Sequence, residues 1–322
     1  MKKVVKNVGI GTLKTILILL IILITVGLVY LIYLFVVNIS MDIPKGLDVS
    51  TNIKTVQYSN RNVYIISDQK EKKSKESVEN IDFKFNNKII IYFHGGAYFG
   101  EATTKHWNFI QKIVNDTGAT VIFPDYPLAP KYNYLDVYQM IKPLYKNISN
   151  QISILEEQKG ENIELIVMGD SAGGGMALGL IEELSKEKDN TILPDKTILI
   201  SPWLDTRMEN KEIDRVQKYD NISNKETLKL AGITYAGKNG RNSYLVNPIL
   251  GNIEGIKNLT IFTGTYDILN PDVHVLKEKS VKEKCDLEIK EYIGAKHIWF
   301  IEQNSSEKLN MQGYNDFIEL IK

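Results

Sequence analysis

With one cysteine, Cys285, the chain can close no internal disulfide and build no cysteine-rich metal site. Histidine is scarce too. His94, His106, His274 and His297 are the only four in 322 residues, and they are too scattered for a zinc site. Neither sign of charge is in excess, with 39 Lys and Arg against 39 Asp and Glu. No global field therefore draws the chain to nucleic acid, and no nucleic-acid motif occurs. There is no internal repeat. Apolar material is plentiful: 43% of the residues are hydrophobic, ample for one large core.

That material is unevenly spread. Residues 15–37 carry no charge and are dominated by Ile, Leu and Val. A bilayer core takes roughly 20 helical residues. A secretory signal has an apolar region of only about 7–15 residues and ends in small residues. Here bulky Tyr33, Leu34, Phe35, Val36 and Val37 close the run. The segment reads as an uncleaved, single-pass anchor in the lipid bilayer. Lys2, Lys3, Lys6 and Lys14 precede it, while Asp42 and Lys45 follow. The positive-inside bias places residues 1–14 in the cytoplasm and the rest of the chain outside it. Residues 38–60, with Pro44 and Gly46, read as a linker and part of a cap, and 61–322 as one globular domain.

Within that domain, strand and helix signals alternate. Charged residues over Gln69–Asn80 mark a solvated loop between two early strands. Short apolar runs predict strands at Lys88–Phe93, Thr120–Pro124, Ile163–Met168, Thr197–Ser201, Leu259–Thr263 and Leu287–Tyr292. Helical spacing marks Trp107–Asn115, Tyr134–Ile148 despite Pro143, Ala172–Lys186 and Asp272–Glu283. Continuous apolar strands alternating with helices specify an α/β fold with a mostly parallel sheet, covered on both faces. Residues of about 206–247 lack a strand rhythm and exceed what a connection needs, so they read as an inserted, helical cap.

Chemistry-bearing residues fall at the carboxyl ends of these strands, where sites form in such sheets. Gly169-Asp170-Ser171-Ala172-Gly173 links a strand to a helix. A serine on that turn has its hydroxyl pushed out of the sheet, with the helix N-terminus and the Ala172 N–H facing any oxyanion formed there. Taken alone, the pentapeptide could be a helix-capping turn. His94-Gly95-Gly96-Ala97 follows another strand, and the Gly95 and Gly96 N–H groups are placed to donate beside Ala172. His94 precedes the serine and reads as a loop-fixing residue rather than a base. Asp267 follows the strand Leu259–Thr263, and His297 follows Leu287–Tyr292. The order Ser, Asp, His is that of a nucleophile, an orienting acid and a base. His274 lies on a predicted helix, His106 lies before the serine, and Asp272 reads as a helix N-terminal residue. Tyr98, Trp203 and Tyr235 are candidates by position to line a substrate pocket.

Six segments together carry a family resemblance: HGGAY (His94–Tyr98), DYPLAP (Asp125–Pro130), GDSAGG (Gly169–Gly174), SPWLD (Ser201–Asp205), GTYD (Gly264–Asp267) and GAKH (Gly294–His297). The chain from about Lys88 onward resembles the hormone-sensitive-lipase-type esterases of the α/β-hydrolase fold. The resemblance implies ester hydrolysis through an acyl-enzyme, without metal or organic cofactor, and a cap of two parts. The anchor is similar to that of arylacetamide-deacetylase-like relatives. Ala97 stands where a third glycine is common, which matters little if backbone N–H groups do the work. The implied activity is that of a serine carboxylesterase or deacetylase acting on small to medium acyl esters. A non-catalytic ligand-binding sensor, or an amidase or lipase with the same three residues, is the alternative. Oligomeric state does not follow from the chain.

Overall fold

Among the described residues, strands pair into one 8-stranded sheet in the order β1-β2-β4-β3-β5-β6-β7-β8. They are β1 (Asn52–Tyr58), β2 (Arg61–Ser67), β3 (Lys88–Phe93), β4 (Thr120–Pro124), β5 (Glu164–Asp170), β6 (Lys196–Ile200), β7 (Leu259–Gly264) and β8 (Leu287–Tyr292). The β1–β2 and β2–β4 pairs are antiparallel and all others are parallel. The structure, a computed structural model, describes residues 43–44, 51–68, 87–160, 162–187 and 191–322. The segment 15–37 read as an anchor, most of the linker before Thr51 and the charged loop Gln69–Asn80 lie outside these. Among the described residues no helix is long and apolar enough to cross a membrane.

The central strands are apolar throughout because both their faces are covered. On β3, Ile89, Ile91 and Phe93 join one core while Ile90 and Tyr92 join the other. On β5, Leu165 and Val167 divide in the same way from Ile166 and Met168. Side chains alternate across a strand, so a run without polar interruption can only be a doubly buried one. Helices α2 (Tyr134–Lys159), α3 (Ser171–Leu184) and α6 (Asn270–Lys282) cover the first face with residues such as Val137, Ile141, Ile181 and Leu276. Helices α1 (Thr104–Thr117) and α8 (Glu307–Ile321) cover the second with Trp107, Ile110, Ile113, Phe317 and Ile321.

Two elements differ from the sequence expectation. Helix α2 runs through Pro143 to Lys159, because Ile148, Ile152 and Leu155 continue its apolar stripe. The stretch read as linker contains β1, an edge strand on which only Val56 is fully buried, so its alternation is faint. The insertion after β6 is largely irregular, with short helices α4 (Ile213–Val216) and α5 (Lys225–Ala236). Its base is closed by Asn247, whose Oδ1 accepts from the Thr206 N–H at 2.7 Å and the Thr206 hydroxyl at 2.8 Å. A further short helix, α7 (Trp299–Glu302), follows the His297 loop.

Candidate active site

Ser171 sits between β5 and α3 with φ of 51°, a left-handed conformation costing a non-glycine residue roughly 1–3 kcal/mol. The turn is possible only because its neighbours are glycines. A Cβ on Gly173 would lie 2.0 Å from the Phe93 carbonyl oxygen, and one on Gly169 would lie 2.3 Å from that of Gly173. The Trp203 N–H donates to the Ser171 carbonyl at 2.8 Å, which fixes the turn from the β6 side.

The structure brings Ser171, His297 and Asp267 together. His297 Nε2 lies 2.9 Å from Ser171 Oγ, and His297 Nδ1 lies 2.9 Å from Asp267 Oδ2. A carboxylate can only accept, so Nδ1 carries the proton and Nε2 is left to accept from the serine hydroxyl. Asp267 is fully buried, and its other oxygen accepts from the Leu269 N–H at 2.9 Å. The His297 loop is fixed twice more. Ser201 Oγ accepts from the Ile298 N–H at 3.0 Å, and the Asn304 side-chain amide donates to the His297 carbonyl at 3.0 Å. From the insertion after β6, Asp220 accepts from the Ile268 N–H at 3.0 Å beside the acid loop.

Burial opposes a charge on His297, but the charge and hydrogen bond of Asp267, helped by the charges of Asp220 and Asp170, outweigh it and raise its pKa. A base must be neutral to take a proton. Activity that depends on His297 should therefore fall on acidification with a midpoint above the ordinary 6.5. A pH–rate profile of kcat/KM measures this directly, and an acidic midpoint below 6.5 would contradict it.

The two glycines of the loop after β3 divide their work. The Gly95 N–H donates to Asp170 Oδ1 at 2.9 Å, so it is committed within the protein rather than pointed at a ligand. A Cβ there would meet Asp170 Oδ2 at 2.2 Å and Ser171 Cβ at 3.0 Å, which is why the position is glycine. Gly96 has φ of 121°, and the N–H groups of Gly96 and Ala97 have no hydrogen-bond partner among the described residues. They lie on the same loop, which meets Ser171 at Gly95, and Ala172 is the second residue of α3.

Tyr98, Trp203 and Tyr235 are brought together, but as an enclosed stack. The Tyr98 and Tyr235 rings are parallel at 3.6 Å, and Trp203 stacks on Tyr98 at 5.5 Å. All three are fully buried, so α5 of the insertion after β6 is pinned to the loop after β3 by aromatic packing.

The remaining histidines stand apart from the triad. His94 is buried, with Nδ1 2.6 Å from the Gly95 carbonyl oxygen and its ring stacked on Tyr126 at 4.4 Å. Burial and the neighbouring His106 push its pKa down to about 4. His274 pairs with Glu291 on the surface. Asp272 lies in the first turn of α6, held by the Asn210 amide, and burial raises its pKa to about 7. Among the described residues no three His, Cys, Asp or Glu side chains are grouped to hold a metal ion. Sequence reasoning passed over Asp170, Ser201, Asn304 and Asp220. The first two lie inside quoted motifs, whereas nothing local marks the other two.

Comparison with known proteins bears on the fold and the family. A family model described as the alpha/beta hydrolase fold matches residues 90–301. An esterase of Acinetobacter venetianus is 28% identical over 208 residues, 64% of this chain and 65% of that protein. An acetyl-hydrolase of Streptomyces hygroscopicus is 24% identical over 215 residues, 66% of this chain and 69% of that protein. The chain thus spans just under two thirds of the Acinetobacter relative's length. A crystal structure of an esterase from the bacterial hormone-sensitive lipase family superposes with a TM-score of 0.70 at 18% identity, covering 87% of each chain. The chain belongs to this α/β-hydrolase family, as its hormone-sensitive-lipase-type motifs imply.

Proposed function

We propose that the chain is a serine carboxylesterase or deacetylase that hydrolyses small to medium acyl esters through an acyl-enzyme on Ser171. The observation that carries this is the unbroken relay from Ser171 Oγ through His297 to buried Asp267. The names esterase and acetyl-hydrolase borne by the two relatives point the same way.

In this reading the Ser171 hydroxyl gives its proton to His297 Nε2 as Oγ attacks the ester carbonyl carbon. The oxygen that gains the charge is met by the N–H groups of Gly96, Ala97 and Ala172. The Gly95 N–H, placed beside Gly96 and Ala172 by sequence, serves Asp170 instead. Collapse breaks the bond to the alcohol, which leaves with the proton from His297. A water molecule, deprotonated by His297 in turn, attacks the acyl-enzyme and releases the carboxylic acid with Ser171 restored. Asp267 stabilises the imidazolium in both halves. Tyr98, Trp203 and Tyr235 form the wall where cap and oxyanion loop meet, which limits the space for the acyl group.

The apolar run 15–37, with lysines before it, supports a membrane anchor that leaves this site on the outer side. One experiment addresses both parts. In a detergent extract of cells making the full chain, a fluorophosphonate should label Ser171. A membrane-impermeant fluorophosphonate should also label it on intact spheroplasts. No labelling in the extract defeats the hydrolase reading, whereas labelling in the extract alone defeats only the orientation.

A further inference from the structure

Asp170, the residue before the nucleophile, is fully buried, and among the described residues its carboxylate meets donors only. Its Oδ1 accepts from the Tyr92 hydroxyl at 2.7 Å and from the Gly95 N–H at 2.9 Å. Its Oδ2 faces His106 Nε2 at 3.3 Å. Burial opposes its charge, yet His106, Tyr92 and His94 together hold its pKa below the ordinary carboxylate value. One carboxylate therefore joins β3 through Tyr92, the oxyanion loop through Gly95, helix α1 through His106 and the nucleophile turn through its own backbone.

The proton on His106 can be assigned. His106 Nδ1 lies 3.0 Å from the Thr103 N–H, which can only donate. Nδ1 is thus the acceptor, and Nε2 carries the hydrogen given to Asp170. His106 is buried, third in helix α1, with its ring 5.9 Å from that of His94 and 6.4 Å from that of Tyr92. Among the described residues no other side chain holds Asp170 Oδ2. Without His106 the carboxylate keeps only the two donors on Oδ1 and can rotate about them. The Gly95 amide, one residue before Gly96 and two before Ala97, moves with it.

We propose that His106 is a positioning residue: acting through Asp170, it sets the distance between the oxyanion loop and Ser171. It touches neither substrate nor the reacting atoms. The proposal rests on the esterase reading above. A donor pair displaced by a fraction of an ångström still binds the ester but holds the oxyanion poorly, so the loss falls on kcat rather than KM.

Two substitutions separate this from the structural role of His106 in starting α1. His106→Asn puts an acceptor where Nδ1 is, keeping the bond from the Thr103 N–H, but has no group reaching Asp170. His106→Gln places an amide N–H where Nε2–H is. In the full chain, with p-nitrophenyl acetate and butyrate, His106→Asn should lower kcat on the order of 10–100-fold with KM within a few-fold. His106→Gln should recover most of that rate, although thermal unfolding should show it to be no more stable than the Asn variant. Equal losses in both variants, a loss confined to KM, or wild-type kcat in His106→Asn would each overturn the proposal while leaving the esterase reading intact. Wild-type protein without ester turnover would overturn both.

Discussion

Ser171→Ala should lower kcat for short p-nitrophenyl esters by about 10⁶-fold while leaving the fold intact. The substitution removes the atom that forms the acyl bond and nothing else of size. The backbone at φ 51° costs alanine about what it costs serine, and the Trp203 bond to the residue 171 carbonyl remains. The partner substitution makes the result diagnostic. His297→Ala should cost a similar factor, because a hydroxyl with no base at 2.9 Å is a poor nucleophile at neutral pH. The double variant should be hardly worse than either single one, since the two act as a unit. Residual catalysis of about 10³ over water would then report the backbone donors of Gly96, Ala97 and Ala172. Losses that multiply in the double variant, or a single variant that keeps a tenth of the rate, would mean that Ser171 and His297 do not share one proton transfer.

How far this could be read from the sequence depended on how local each signal was. Strands β3 to β7 were legible because burial on both faces leaves their central positions almost wholly apolar, whereas β8, at the sheet edge, keeps Glu288, Lys290 and Glu291. Strand ends were marked by Gly95, Gly169 and Gly264. An early strand was expected before Gln69, where β2 lies, but β1 was not. It forms the sheet edge, its alternation is diluted by Lys54 and Gln57, and only its pairing with β2 makes it a strand. The helix expected over Tyr134–Ile148 already passed Pro143; it runs on to Lys159 because Ile152 and Leu155 continue the apolar stripe that buries against the sheet.

The triad was legible for a different reason. Chain order and strand ends fix where an acid and a base must fall, so Asp267 and His297 were identifiable without knowing any distance. The oxyanion donors were less so. Consecutive glycines say that backbone N–H groups are available, but not which of them the protein has already used. Asp170, the acceptor of the Gly95 N–H, lies 75 positions away in the chain. A side chain that takes one member of a donor pair from that distance leaves no periodic trace. The same holds for Asp220, whose contact with the acid loop spans 48 positions. Tyr98 and Trp203 were candidates by their place in the motifs, and Tyr235 by its place in the insertion after β6. That they fill space against one another follows from packing.

Asp267→Asn should lower kcat/KM by about 10⁴-fold at neutral pH, and it should also move the acidic limb of the pH profile. The size of the loss comes from the tautomer. An asparagine at this position can offer an N–H to His297 Nδ1, which leaves the hydrogen on Nε2, facing Ser171 Oγ with a donor instead of an acceptor. The direction of the pH shift follows from the balance on His297. Burial lowers its pKa and Asp267 raises it, with the second effect winning in the native protein. Removing the carboxylate charge leaves burial opposed only by the more distant charges of Asp220 and Asp170. The residual activity should therefore lose its acidic limb at a lower pH than wild type. Stability should fall as well, because the Leu269 N–H and the imidazole both lose a charged acceptor in a site closed to water. Profiles of kcat/KM against pH for the two proteins, with thermal unfolding as control, test the argument. A variant within tenfold of wild type would show that Asp267 does not orient the base. A large loss with an unmoved acidic limb would show that it orients His297 without setting its charge.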